Sequence, residues 1–298
     1  MLSEGEFPTA IADWQVTTSA EHGEHWTTCV VERKGVSGDL TVFARGVTDS
    51  EAFRAAFRRD VALLSGIDHP HLPRLMDHGE FAGQFFCVFA QAPITRLSAM
   101  LNEPHAFDEQ VDVIWQIASA IQQLHNAGLT HARLAAENIA VSDQLRTTLI
   151  APCRSDWVAT GKSSEQTFPQ RIKCDLNELA DLLDLTAEAI VTPEPAPQEV
   201  STALSTMATE LRQGRMIARD VQGRLGDLLL KQSGDGMEMI DDRTGQYLSR
   251  RSIVDELFEE TEPQSVQPAE EHQTSLPRWI IPLLVTITLL LIAWFATR

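Results

Sequence analysis

The segment FDEQVDVIWQIASAIQQLHNAG, residues 107–128, sets the strongest constraint on the fold. Val111, Ile114, Ile117, Ala118, Ile121 and Leu124 recur at three- and four-residue spacing, an apolar stripe that a helix must bury, and Gly128 supplies the stop. What precedes it has another period. WTTCVVERKG and DLTVFARGV, within 23–45, are rich in Val, Thr and Phe around the turn residues KGVSGD, and GQFFCVFAQA repeats the composition, so strands are expected. Between them DSEAFRAAFRRDVALLSGI opens with Asp49 or Ser50 as a helix cap and sets Phe53, Ala56, Phe57, Val61 and Leu64 at helical spacing. A strand-rich first part followed by a helical second part predicts an α+β protein of two lobes.

The chain of 298 residues, 43% apolar, can bury one sizeable core with an appended segment. A formal charge of -18 and a pI near 4.8 exclude an extended nucleic-acid-binding surface, which needs clustered Lys and Arg, so no nucleic acid is expected as a partner. Cys29, Cys87, Cys153 and Cys174 lie far apart with no C-x-x-C pair, the pattern of buried thiols in a reducing compartment. The opening MLSEGEFPTAIADW has no basic-then-apolar arrangement, so a cytoplasmic domain is expected.

Composition divides the chain into an N-terminal tail (1–11), a globular body (12–231), an acidic flexible tether (232–278) and a last apolar run (279–297). From Gln232 to Pro277 there are 11 Asp and Glu against 3 Arg, the character of a solvated coil. WIIPLLVTITLLLIAWFAT, Trp279 to Thr297, carries no charge over 19 residues. As a helix it covers roughly 28 Å, the thickness of a bilayer's hydrocarbon core. Trp279 and Trp294 sit near its two ends as interface anchors, with Arg278 and Arg298 outside. A single-pass membrane helix is expected, anchoring the chain by its C-terminal end with the lipid bilayer as one partner.

HPHLPRLMDHGEFAGQFFCVF, then the long helix ending LHNAGLTH, then ARLAAENIAV resembles the protein kinase family, from the small-lobe helix through the catalytic loop. The family loop is H-R-D-L-x-x-x-N; here it is His131-Ala132-Arg133-Leu134-Ala135-Ala136-Glu137-Asn138. The resemblance implies a bilobal serine/threonine-kinase-like fold over 12–231, with a small β-rich lobe and a larger helical lobe. It also implies degeneracy. The position of the base that takes the substrate's proton is Arg133, always protonated, and a missing general base costs about 10² to 10⁴ in rate. Carrying the family spacing from Asn138 to the metal-binding D-F-G lands on Ala151-Pro152-Cys153. The small-lobe lysine corresponds to Arg45 and its glutamate partner to Asp60, an expected ion pair at the nucleotide-site position. The glycine-rich loop keeps only Gly23, beside His25 and Trp26. Asp175 matches the aspartate that holds the catalytic-loop backbone, and Arg215 the arginine that ties the large lobe together. Thr160, Ser163, Ser164 and Thr167 fall in the activation segment, expected as a polar loop.

Scaffold positions are kept and chemical positions are not, the pattern of a pseudokinase. No catalytic residue, metal or cofactor is therefore expected, and ATP with magnesium is left unsupported by the motifs. The expected role is signalling by contact with a protein partner at the membrane, an active kinase or its substrate. Two alternatives stand beside it. One is an atypical active serine/threonine kinase in which Glu137, Asp143 or Asp156 replaces the lost carboxylates. The other is a structural membrane adaptor acting through the acidic tether.

Overall fold

The structure is a computed structural model describing residues 7–103, 105–161, 166–189, 198–232, 238–240 and 247–249. The short strands Ala10–Ile11 (β1), Trp14–Val16 (β2) and Glu21–His22 (β3) lead into the hairpin of Trp26–Arg33 (β4) and Val36–Phe43 (β5). Its turn is the residue pair Lys34-Gly35 at φ 54° and 77°, where glycine tolerates the left-handed backbone that tight hairpins need. Leu75–Phe81 (β6) and Gln84–Ala90 (β7) complete an antiparallel sheet of order β1-β2-β4-β5-β7-β6, with β3 also paired to β4.

Alternation along β5 gives this sheet two apolar faces. Leu40 and Val42 join Trp14, Val31 and Val88 in a small outer cluster, while Phe43 faces the main core. The short helix Arg45–Thr48 (α1) precedes Glu51–Leu64 (α2), where the Ser50 side chain accepts a hydrogen bond from the Phe53 amide at 3.4 Å. Phe53, Phe57, Val61 and Leu64 of α2 are buried under the sheet.

The second lobe is built on Phe107–Asn126 (α4), whose apolar stripe is buried as the spacing demands and which stops at Gly128, φ 77°. The short helix Leu97–Met100 (α3) precedes it. The hairpin of Ile139–Val141 (β8) and Thr147–Leu149 (β9) follows, then Arg154–Gly161 (α5), Phe168–Ala189 (α6), Gln198–Arg212 (α7) and Ala218–Gln232 (α8). The chain folds into a small β-rich lobe and a larger helical lobe around one continuous core.

Four features differ from the sequence expectation. The body begins by Ala10, with Ile11 buried, and α8 runs on to Gln232. The stretch expected as a polar loop starts as helix α5. Past the body, Glu238–Ile240 (β10) and Tyr247–Ser249 (β11) pair antiparallel within the stretch expected as a tether. Trp279, Trp294 and the expected membrane helix lie outside the described residues, among which no helix is long and apolar enough to cross a membrane.

Candidate functional site at the lobe interface

The loop at 130–135 leads from α4 to a single 3₁₀ turn, Ala136–Asn138, ahead of β8, and no regular element stabilises its backbone: Ala132 sits at φ 68°. Its amides therefore need side-chain acceptors. Asp175, fully buried on α6, takes the amides of His131 at 2.9 Å and Ala132 at 2.8 Å, and its Oδ2 lies 3.0 Å from His125 Nε2. Glu178, one turn on, accepts from the Leu134 amide at 2.6 Å. Leu134 and Ala136 turn into the core. Burial pushes the His131 imidazole below its ordinary value, which favours a neutral packed ring.

The groups that could do chemistry are arranged differently. Arg133 is exposed, and its carbonyl accepts from Asn138 Nδ2 at 3.1 Å. The Asn138 carbonyl accepts from the Ile150 amide at 2.8 Å. Ala151 and Cys153 hold left-handed backbone at φ 47° and 66°, so the chain bends where the family has D-F-G but offers no carboxylate there. A magnesium ion needs carboxylate oxygens, and this donor set is a methyl group, an amide engaged with its own loop and a guanidinium. The residues present do not fit the metal.

The three candidate substitute carboxylates do not converge on Asn138 either. Glu137 is exposed on a single 3₁₀ turn, and Asp143 is exposed in the β8–β9 connection. Asp156 is buried, accepts from the Thr130 hydroxyl and pairs with Arg171 Nη1 at 3.2 Å; burial pushes its carboxyl above the usual range despite these donors.

Helix α5 occupies the space between the lobes. Arg154, Trp157, Val158 and Gly161 follow the i, i+3, i+4, i+7 rule and share one face. The Arg154 guanidinium lies 4.5 Å from the Trp26 ring centroid. Trp157, fully buried, meets Phe43 edge-on at 5.7 Å and Phe57 at 4.9 Å between centroids. A Cβ on Gly161 would come within 3.0 Å of Val47 Cγ1 and 3.2 Å of the Val47 carbonyl, so the helix sits hard against α1. Trp26 and Phe43 are direct partners across β4 and β5, so both rings project from the same face of the sheet onto α5.

This geometry corrects the expected Arg45–Asp60 pair. Strand β5 ends at Phe43, and Arg45 already lies on α1, where its Nη2 donates to the Ala82 carbonyl at 2.7 Å. The last strand position facing the lobe interface is Phe43, a side chain with no charge. Asp60 is buried, and its oxygens accept from Trp157 Nε1 at 2.9 Å and Arg59 Nε at 2.6 Å. Arg215, expected to tie the large lobe, is exposed: it falls on the turn after α7, beside Gly214 at φ 68°, and only its neighbour Met216 turns inward. Phe43, Arg154 and Trp157 were missed. Strand alternation from Thr41 singles out Phe43, while nothing in RSDWVATG marks α5, since its apolar residues form no stripe.

A model described as protein tyrosine and serine/threonine kinase matches residues 27–153. Residues 27–153 are thus similar to the protein kinase family. Over 105 residues it is 33% identical to the serine/threonine-protein kinase PknD of Mycobacterium tuberculosis, a match covering 35% of this chain and 16% of that protein. The probable serine/threonine-protein kinase PknB of Lactococcus lactis subsp. lactis is 31% identical over 90 residues, 30% of this chain and 14% of that protein. The chain therefore spans a small part of these relatives. Among solved structures, the PknI kinase domain of Mycobacterium tuberculosis superposes with a TM-score of 0.55 at 16% identity, covering 73% of this chain and 96% of that one. That likeness concerns the fold alone. Within this kinase fold, the catalytic-loop frame around Asp175 coexists with a lobe interface packed by aromatic rings.

Proposed function

We propose that this kinase-family domain is catalytically silent and acts in signalling by binding a protein, an active kinase or its substrate, at a membrane to which residues 279–297 attach it. The observation carrying the reading is the contact of Trp157 with Phe43 and Asp60. Arg45, expected at the phosphate-facing position, lies off the strand, the last strand position at the lobe interface is an aromatic ring, and the helix carboxylate accepts from an indole N–H. Arg133 and Ala151 add the loss of base and metal ligand. Each of these losses alone is worth orders of magnitude in rate, and together they leave positioning without chemistry.

The relatives are named as kinases, so activity is the quantity to measure. The full chain in detergent is incubated with labelled ATP, magnesium or manganese and a panel of basic acceptor proteins. The expected result is no incorporation above that of a boiled control. Incorporation that disappears on Asp156→Asn, Asp143→Asn or Glu137→Gln favours the atypical kinase and overturns the silent reading.

A further inference from the structure

The chain passes between the lobes once, through the segment 91–96 between β7 and α3. Two bodies joined by one such segment are free to turn about it unless an apolar interface holds them. Helix α5 supplies that interface, because its contacts divide between the lobes residue by residue. Towards the small lobe, Trp157 meets Phe43 on β5 and Phe57 on α2 and donates to Asp60, Arg154 lies over Trp26 on β4, and Gly161 leaves no room for a Cβ beside Val47 on α1 and Phe53 on α2. Towards the large lobe, Asp156 accepts from the Thr130 hydroxyl and from Arg171 on α6.

Consecutive helix residues point about 100° apart, so the neighbours Asp156 and Trp157 reach different lobes from one turn. Both are buried, Trp157 fully and Asp156 to 8% exposure. A single apolar cluster contains Phe43 and Phe57 of the small lobe, Trp157 and Val158 of α5, and Leu179 of α6, so turning one lobe against the other has to break packed contacts. The α2–β6 link adds a second tie, through His69 to Ser119 and His71 to Thr147. Helix α5 has eight residues and no apolar stripe of its own, so it holds its shape only while seated between the two bodies.

We infer that α5 is an interlobe brace: it fixes the small lobe against the large lobe, so that the cleft between them neither opens nor closes in the folded domain. Rigidity of this kind is separate from catalytic silence and holds whether or not the domain transfers phosphate. Its consequence for recognition is preorganisation, since a partner touching both lobes meets them at a fixed spacing and has no lobe motion to arrest.

The test measures lobe separation by pulsed electron paramagnetic resonance on the full-length chain in detergent. Spin labels are placed on two exposed positions, Val36→Cys in the small lobe and Arg219→Cys on α8, in a Cys174→Ser background; Cys29, Cys87 and Cys153 are buried. One narrow distance population is expected with the brace intact. A broader distribution or a second population is expected when an end is released, by Gly161→Leu or Arg154→Ala on the small-lobe side and by Arg171→Gln on the large-lobe side. Arg154→Ala leaves the aromatic cluster packed, so it keeps the test informative if Gly161→Leu unfolds, and circular dichroism on the same samples separates loosened lobes from an unfolded chain. A broad or double distribution with the brace intact overturns the inference, and so does a narrow distribution unchanged in every folded variant.

Discussion

Trp157 holds two kinds of contact in one side chain: its ring fills the space beside Phe43 and Phe57, and its N–H serves the buried Asp60 carboxylate. The two can be separated. Trp157→Phe keeps an aromatic ring and deletes the donor, leaving Asp60 with Arg59 alone, and should lower unfolding free energy by about 1–3 kcal/mol. Urea denaturation measures it. Combining the change with Asp60→Asn should reduce its cost, because the charge needing the donor is gone; strict additivity would show that only ring packing matters. Arg133→Asp tests another residue. It restores the family's base but leaves Ala151 and Phe43 in place, so labelled phosphate incorporation should stay at background. Recovery of transfer by that single substitution would mean that metal and lysine positions have functional substitutes elsewhere in the cleft.

At the scale of elements, the link between α2 and β6 ties the lobes together through two histidines. His69 Nε2 lies 3.2 Å from the Ser119 hydroxyl on α4, and His71 Nδ1 lies 3.2 Å from the Thr147 carbonyl on β9. Burial, with the neighbouring His71, pushes His69 down to about 4, and burial lowers His71 as well. The unfolded chain then takes up protons that the folded one refuses, starting near the ordinary histidine value of 6.5. Stability is therefore full above about pH 6.5 and falls as pH drops towards 4, with a slope of about 1.4 kcal/mol per pH unit for each proton. Melting temperatures between pH 7 and pH 4 measure the fall, and His69→Gln should flatten it. An unchanged slope in that variant would assign the pH dependence to other groups.

The same elements show what the sequence made legible. Alternation and helical stripes located β4, β5, α2 and α4 because each buries one face, and Asp175 was legible only through the resemblance of KCDLNELADLL to the family segment whose aspartate holds the catalytic-loop backbone. Arg45 was misplaced because periodicity does not mark where a strand stops, and Ala44 alone separates the end of β5 from it. Helix α5 was illegible for a deeper reason. Its fold comes from tertiary seating, with Trp157 in the aromatic cluster and Gly161 against Val47, rather than from a pattern within its own eight residues.

For the whole molecule, charge decides how a membrane attachment would have to work. The chain carries -18, so an anionic bilayer repels it as a body, and surface electrostatics cannot supply the affinity. Apolar burial can: on the proposed reading, the uncharged stretch 279–297 has the length that a helix needs to cross a hydrocarbon core, and such insertion owes nothing to counterions. Attachment should therefore resist concentrated salt and carbonate at high pH, yield only to detergent, and vanish when the chain is truncated after residue 278. Repulsion sets a second expectation. Raising salt screens the acidic body from an anionic surface and should tighten association of the full chain with such vesicles, opposite to the behaviour of a protein held by basic residues. Flotation of the full and truncated chains with neutral and anionic vesicles, at low and high salt, reads both effects. Release of the full chain by salt alone would place the attachment on a charged surface or a protein receptor and remove the membrane helix from the reading.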